Sequence, residues 1–473
     1  MTTASRRRLI ADRPADPSLI DSRQAAWRLA AALLACTLGN APMYVLAVVL
    51  PEVQRDFGVG RAEASLSYTL MMVGLGAGGF LCGRWADRYG MARIIQLGAI
   101  GALAGFALAA WSQSLAMFAA AHCLLLGFLA IGSSYAPVMA DTGLWWRRHR
   151  GVAVAVAASG NFLAGTLWPP GVQWGVEHFG WRPTFVVLGI VCGVGMALLS
   201  LRLRQRPPAV EGSIAGLSEA AARPGASSAG VSAAPRSAEP RADVPVSGNE
   251  PSVLQRPGSA PQLASERPFG LAPLAAQWLL FSAAVACCVA MSMPQVHIVA
   301  YCADLGFGAA RGAEMLSLML GFGVISRLAS GWISDHIGGL RTLLLGSVLQ
   351  AVALALFLPF DSLASLYVIS AMFGLFQGGI IPAYAIIVRE YFSAQQAGAR
   401  TGAVLVGGQV GMALGGWLSG KVFDLTGSYQ AAFVNGIGWN LINLAIVAFF
   451  LWRIRPDRGV PLAGRSFEPG VSR

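Results

Sequence analysis

Apolar residues along this chain fall in long runs, and polar residues in short clusters between them. Twelve runs lie near residues 27 to 50, 64 to 84, 92 to 111, 114 to 140, 151 to 175, 182 to 203, 271 to 302, 312 to 333, 340 to 360, 363 to 388, 399 to 423 and 430 to 452. Roughly 20 apolar residues, rising 1.5 Å each as a helix, cross the hydrocarbon layer of a bilayer. The pattern therefore predicts an all-α membrane protein of twelve transmembrane helices.

The polar clusters repeat. Gly83, Asp87, Gly90 and Arg93 punctuate the turn after the second run, and Gly331, Asp335, Gly338 and Arg341 do so at identical spacing after the eighth. Gly180-Trp181-Arg182 leading to Phe185 is echoed loosely by Gly427-Ser428-Tyr429 leading to Phe433, each opening the last run of its half. Between the sixth and seventh runs, residues 204 to 268 are rich in Pro, Ala, Ser, Gly and Arg and show no helical or strand period. Such a segment cannot bury enough surface to offset its ordering entropy, so it reads as a disordered linker. The expected organisation is a tail over 1–26, a six-helix half over 27–203, the linker, a second six-helix half over 269–453, and a tail over 454–473. The halves are related by pseudo-symmetry, the signature of a duplicated membrane carrier.

Composition agrees: 55% of residues are hydrophobic and only 12% charged, with a mean hydropathy of +0.58. The net charge of +11 does not point to nucleic acid, because the arginines sit at termini and turns without interleaved aromatics. Their placement gives topology instead. With the N-terminus cytoplasmic, short inner loops hold nine (Arg84, Arg88, Arg93, Arg147, Arg148, Arg150, Arg341, Arg389, Arg400) and outer loops five (Arg55, Arg61, Arg182, Arg311, Lys421). The positive-inside rule places both termini in the cytoplasm of a cell-membrane protein. All seven cysteines lie in or beside predicted spans, without metal-ligand spacing, and read as small packing residues. Leu33-Leu34-Ala35-Cys36 resembles a lipoprotein cleavage box, but the apolar run continues to Leu50, so the first span is expected to be retained. No metal, cofactor or nucleic-acid partner is expected, and the protein reads as a monomer.

Glycines recur every four residues in two runs: Gly74, Gly78 and the offset Gly79, Gly83 in the second; Gly407, Gly411, Gly415 and the offset Gly416, Gly420 in the eleventh. Small residues at that spacing let helix backbones approach closely in lipid, so these two helices are expected to meet across the halves. Gly74 to Gly79 also fits a dinucleotide-binding glycine pattern, which fails because no strand precedes it.

Asp87, Arg88 and Arg93 bracket a tight turn at Gly90, a conformation open to glycine. An Asp here faces the positive N-terminal end of a neighbouring helix and pairs with an Arg when the cytoplasmic ends of the halves meet. Together with Gly83, Gly331, Asp335, Gly338 and Arg341, these residues are expected to form a conformational gate; a plain solvated loop is the alternative. The paired loops resemble the signature of the major facilitator superfamily. Three segments are similar to its monocarboxylate transporter and oxalate/formate exchanger branch: Trp145 to Gly151 entering the fifth span; Val296 to Tyr301 with Asp304-Leu305-Gly306 leaving the seventh; and Ser326-Arg327-Leu328-Ala329-Ser330-Gly331 in the eighth. The resemblance implies the major facilitator fold and a central site between halves that open alternately to either side.

Arg327 lies about fifteen residues into the eighth run, where a charge costs several kcal/mol unless it faces a cavity or partner. Its donor fork suits a carboxylate, and in the resembled branch the corresponding arginine engages the substrate anion. The alternative is that Arg327 bonds carbonyls or Asp335. His297, following Pro294, is a candidate donor or proton carrier; His122 matches no motif. Asn40, Tyr44, Tyr135, Asn161, Tyr384 and Gln409 are candidate neutral cavity groups, or ordinary packing. Two departures matter. Proton carriers of the branch often place an Asp one turn before the arginine, where this chain has Gly323, and dicarboxylate exchangers add a cation in the eleventh helix, whose middle here holds Gln409.

The expectation is a secondary active transporter of a small organic anion, a monocarboxylate, with a proton or counter-anion as coupling partner. Efflux of lipophilic drugs is the alternative on the same fold. A sensor signalling through the linker, or an enzyme, finds no supporting motif.

Overall fold

The computed structural model describes residues 16–207, 267–393 and 396–454. The tail over 1–15, most of the expected linker (208–266) and the tail over 455–473 lie outside the described residues. Among the described residues twelve helices are long and apolar enough to cross a membrane: α1 Arg23–Phe57, α2 Arg61–Tyr89, α3 Met91–Ala110, α4 Leu115–Thr142, α5 Arg150–Phe179, α6 Trp181–Leu203, α7 Pro273–Asp304, α8 Ala309–Ile337, α9 Gly339–Leu356, α10 Leu363–Tyr391, α11 Ala397–Thr426 and α12 Tyr429–Arg453. Several run past the predicted bounds, because their ends carry Arg, Asp and Glu that hydropathy excludes but helical hydrogen bonding includes.

The turns follow local chemistry. Ser114 and Ser362 cap α4 and α10 by accepting backbone N–H bonds from Met117 and Ser365 at 3.3 and 3.4 Å. Gly90 and Gly338 turn the chain at φ of 87° and 83°, a region costly for any residue with a Cβ. Gly180 and Gly427, at 83° and 67°, open α6 and α12, and Phe185 and Phe433 one turn on are buried. The duplication is thus visible in backbone conformation. Three helices are irregular among the described residues: α1 is interrupted at Asn40 just before Pro42, α4 is π-helical over Ala121–Ile131 and broken at Tyr135, and α10 is interrupted at Gly378 and Gly379.

The glycine stripes hold the bundle together, but not as expected. A Cβ on Gly74 would lie 2.0 Å from the Cys123 carbonyl oxygen and one on Gly78 2.1 Å from that of Phe128, so this stripe packs on α4 within its own half. Gly407, Gly411 and Gly415 likewise pack on α7, at Phe281, Val285 and Val289. Helices α2 and α11 do meet across the halves, but through the offset glycines of α11 alone: Gly416 lies against the Tyr68 ring and Gly420 against the backbone of Arg61 and Ala62, whereas Gly79 of α2 faces Ala136 of α4 and Gly83 meets nothing. Each helix has two small faces, and spacing alone does not say which neighbour takes which. The second half repeats the α2–α4 contact between α8 and α10, where Gly374 and Gly378 abut Met319 and Gly323.

The halves touch along α2–α11 and α5–α8, and the contact is polarised. At the face away from the termini, Arg61 forms a bidentate ion pair with Asp304, at 2.5 and 2.6 Å. Asp424 accepts the backbone N–H groups of Arg61 and Ala62 at 3.0 and 2.8 Å, capping α2 from the other half. The Arg61 guanidinium lies 3.7 Å from the Phe423 ring centroid and 4.9 Å from that of Tyr429. At the face bearing the termini, Gly83, Gly331, Gly398 and Gly402 have open space where a side chain would stand. Asp87, Arg88, Arg93, Asp335 and Arg341 are exposed there, and no side-chain bond joins either Asp to an arginine among the described residues. The expected gate is unlatched, and its physics, a carboxylate at a helix N-terminus beside an arginine pair, operates at the opposite face.

Candidate functional site

Charge is distributed unevenly along the spans. Among the described residues every Asp, Glu, Lys and Arg lies within about five residues of a span end except Arg327, which lies ten residues from Ile337. A guanidinium at this depth requires satisfaction by protein, water or ligand. It is 7% exposed.

The protein meets part of that requirement. Nη1 donates to the carbonyl of Ala158 on α5 at 3.0 Å, and the guanidinium carbon lies 4.3 Å from the Phe162 ring centroid. Nε is buried with no hydrogen-bond partner. Asp335 does not bond it, and no described carboxylate does. The fork is therefore steadied by one carbonyl and one ring, with donors left over. Phe162 is positioned by Gly323: a Cβ there would lie 2.9 Å from the ring, so the ring occupies the space a side chain at 323 would need.

Neutral polar groups share the region. Tyr44 donates from its hydroxyl to Asn161 Oδ1 at 3.0 Å, adjacent in sequence to Phe162. Tyr44 and Cys36 on α1 lie within electrostatic reach of Arg327, and Tyr135 within reach of Tyr44. The π segment and break in α4 set where Tyr135 projects; Tyr135 and Asn161 are half-buried. Arg327 of α8 meets Ala158 and Phe162 of α5, and α5 holds Tyr44 of α1 through Asn161; Tyr135 of α4 lies nearer Tyr44 than the arginine.

Four candidates do not join them. His297 is fully buried; Nε2 donates to the Gly416 carbonyl at 2.8 Å, which leaves Nδ1 to accept from the Tyr429 hydroxyl at 3.3 Å. Both ring nitrogens are engaged beside Arg61, and no hydrogen bond joins His297 to Arg327, Tyr44, Asn161 or Tyr135 among the described residues. Tyr384 donates to Asn443 at 3.1 Å in a buried network with Ser347 and Asn440 inside the second half. Asn40 turns back on α1, donating to the Cys36 carbonyl at 2.8 Å. Gln409 is half-buried, and no hydrogen bond joins it to Arg327, Tyr44, Asn161 or Tyr135 among the described residues.

Sequence reasoning missed several groups. Phe162 was an ordinary apolar position, and Arg61 counted only toward topology. A buried Arg28–Asp141 pair at 2.8 Å ties α1 to α4 near the termini. Gln295 and Gln377 bond at 2.9 Å between α7 and α10. An unusual residue type in an apolar run was the one available signal, and it marks structural pairs and sites alike.

Comparison with known proteins agrees with this architecture. A family model described as Major Facilitator Superfamily matches residues 31–365 and again 315–472. Monocarboxylate transporter 13 of Bos taurus is 25% identical over 356 residues, covering 74% of this chain and 71% of that protein. Monocarboxylate transporter 12-B of Danio rerio is 26% identical over 379 residues, covering 76% and 73%. Among solved structures, the fold resembles a bacterial homologue of the human lysosomal transporter Spinster (TM-score 0.62, 14% identity, 91% of this chain and 97% of that one). It also resembles a peptide transporter (TM-score 0.63, 13% identity, 90% and 95%). The twelve spans in two six-helix halves, the duplicated Gly-Asp-Gly-Arg turns and a family model covering most of the sequence converge: the chain belongs to the major facilitator superfamily.

Proposed function

We propose that this transporter moves a small organic anion, a monocarboxylate, through a site whose cationic element is Arg327. One observation carries the reading: a guanidinium deep in a span, held by a carbonyl and an aromatic ring, with donor capacity unmet and no carboxylate bonded to it among the described residues. A guanidinium fork matches the two oxygens of a carboxylate, and charge-assisted bonds in a low-dielectric setting are the strong ones. A single central cation favours a single carboxylate. Tyr44, Tyr135 and Asn161 supply neutral hydrogen-bonding groups for the rest of the substrate. The monocarboxylate transporters among its relatives support the same class.

The cycle follows from the polarised contact. With the Arg61 latch closed and the opposite ends of the halves apart, the site communicates with the face bearing the termini. Rocking the halves would release Arg61 and bring Asp87 and Asp335 against partners on the other side. The arginine asymmetry supports a cell-membrane protein with both termini cytoplasmic. Drug efflux finds less support, since a cationic drug calls for a central acid and the described spans hold none at that depth. Uptake of labelled lactate or pyruvate into proteoliposomes, run beside cationic dye efflux, tests the reading. Saturable anion uptake with no dye efflux is expected; dye efflux without anion uptake would overturn it.

A further inference from the structure

Among the described residues, hydrogen bonds cross between the halves at three levels. Outermost, at the latch face, are those of Arg61 and Ala62 with Asp304 and Asp424. Two turns further into the membrane, the Thr69 hydroxyl donates to the Ala413 carbonyl at 2.7 Å, joining α2 to α11, and the Ser317 hydroxyl donates to the Thr166 carbonyl, joining α8 to α5. Deepest is the bond from Arg327 to the Ala158 carbonyl.

Only the middle level is matched by the duplication. Thr69 and Ser317 lie 248 positions apart, as Gly83 and Gly331 do, and Thr166 and Ala413 lie 247 apart, as Gly180 and Gly427 do at the ends of α5 and α11. The two hydroxyl bonds are therefore one contact made twice, once on each seam. The other levels are made once. By the same intervals Arg61 corresponds to Ala309, and Asp424 to Glu177, which accepts from Gln173 of its own helix at 2.9 Å. Arg327 corresponds to Gly79, which has no side chain to donate. Packing beside the matched bonds is close on both seams: Gly416 lies against the Tyr68 ring, and a Cβ on Gly165 would fall 2.0 Å from Leu320 Cδ1.

Parallel halves of a duplicated carrier are related by an axis along the membrane normal, so counterparts share a depth and stand on opposite sides of that axis. Two matched contacts then define a line in the membrane plane that runs through the interface between the halves. Rotation about such a line opens one face as it closes the other, and only points on the line keep their separation. From this, and resting on the rocking cycle proposed above, we propose that Thr69 and Ser317 are positioning residues that form the pivot of transport. Their bonds to Ala413 and Thr166 persist through the cycle, while the Arg61 latch and the ends bearing Asp87 and Asp335 alternate. A hydroxyl bonded across helices in a membrane contributes about 1 kcal/mol, enough to hold register without freezing the motion. The pivot is off-centre. Asp87 lies about 27 Å of helix from Thr69 and Arg61 about 12 Å, so one rotation carries the ends near the termini about twice as far as the latch ends.

Cross-linking of full-length protein tests the pivot, in a background lacking accessible native thiols. Thr69→Cys with Ala413→Cys, and separately Ser317→Cys with Thr166→Cys, place thiols on the proposed axis; Arg61→Cys with Asp424→Cys places them at the latch face. Each pair is joined as a disulfide or by a short reducible thiol linker and compared with its own reduced form. Uptake of labelled lactate and pyruvate into proteoliposomes is one readout, and hydrogen exchange over residues 61–64 is the other. Linking either pivot pair should leave both within about threefold, whereas linking the latch pair should lower both at least about tenfold and reduction should restore them. If a linked pivot pair stops uptake or slows exchange as fully as the linked latch pair, the seams part at Thr69 and Ser317 and the pivot is overturned. If no reduced form takes up lactate or pyruvate, the anion reading falls, and exchange alone decides the pivot.

Discussion

Arg61 and Asp304 face each other across the two halves as a planar, two-bond ion pair, with Nη1–Oδ2 at 2.5 Å and Nη2–Oδ1 at 2.6 Å. Arg61 is the first residue of α2 and Asp304 the last of α7, so the pair joins helix ends that a rocking motion must separate. Asp424 reinforces it through the α2 N-terminus, where a carboxylate meets both unsatisfied N–H groups and the positive end of the helix dipole.

Breaking this pair should shift the conformational balance and leave the fold intact. Asp304 is 36% exposed, so water screens the interaction, and about 1 kcal/mol is a fair scale, or about a fivefold change in populations. In a background lacking accessible native thiols, cysteines at 83 and 402 should react readily with an aqueous maleimide. Arg61→Ala should slow both by about that factor, and the charge swap Arg61→Asp with Asp304→Arg should restore them. Unchanged labelling in Arg61→Ala would show that the pair does not hold the far face closed.

His297 tests the distinction between latch and site. Because both ring nitrogens are occupied by Gly416 and Tyr429, His297→Ala should lower maximal transport rate and thermal stability. The apparent affinity for the anion should stay within about threefold of the parent, since a lost substrate hydrogen bond to a charged group costs roughly 1.5 to 3 kcal/mol, or more than tenfold. Affinity falling more than tenfold with rate preserved would return His297 to the site.

Two glycines of α8 and α10 make a matched pair for stability. A Cβ on Gly374 would lie 1.8 Å from the Met319 carbonyl oxygen, and backbone cannot swing aside as a side chain can. Gly374→Ala should cost at least about 2 kcal/mol and lower the melting temperature in detergent by several degrees. Gly331→Ala meets nothing within 4 Å and gains up to about 1 kcal/mol of helix propensity, so its melting temperature should hold or rise. Equal melting temperatures in the two variants would contradict the packing described for α8 and α10.

These contrasts also separate what sequence could and could not say. Hydropathy period and run length are local quantities, so the twelve spans and the duplication were legible, as was Arg327, whose charge stands alone in an apolar run. Which face of α11 meets which helix was not, because Gly415, against α7, and Gly416, against Tyr68 of α2, look alike until neighbours are placed. His297 misled for a related reason: a polar residue deep in a span signals a partner, and only three dimensions show that the partner is Tyr429 and a backbone carbonyl rather than a ligand. Phe162 carried no signal at all. Its role arises from the Gly323 it lies against, 161 positions away in the chain.

The central claim is that Arg327 receives the substrate carboxylate, and anion-induced thermal stabilisation of purified protein tests it most directly, since binding is read without any assumption about coupling. Lactate or pyruvate should raise the melting temperature of the parent in a saturable manner, and Arg327→Lys should respond only at about tenfold or higher concentration, keeping the charge but losing the fork. Arg327→Ala should express, insert and melt cooperatively yet show no shift. A full anion-dependent shift in Arg327→Ala would contradict the account.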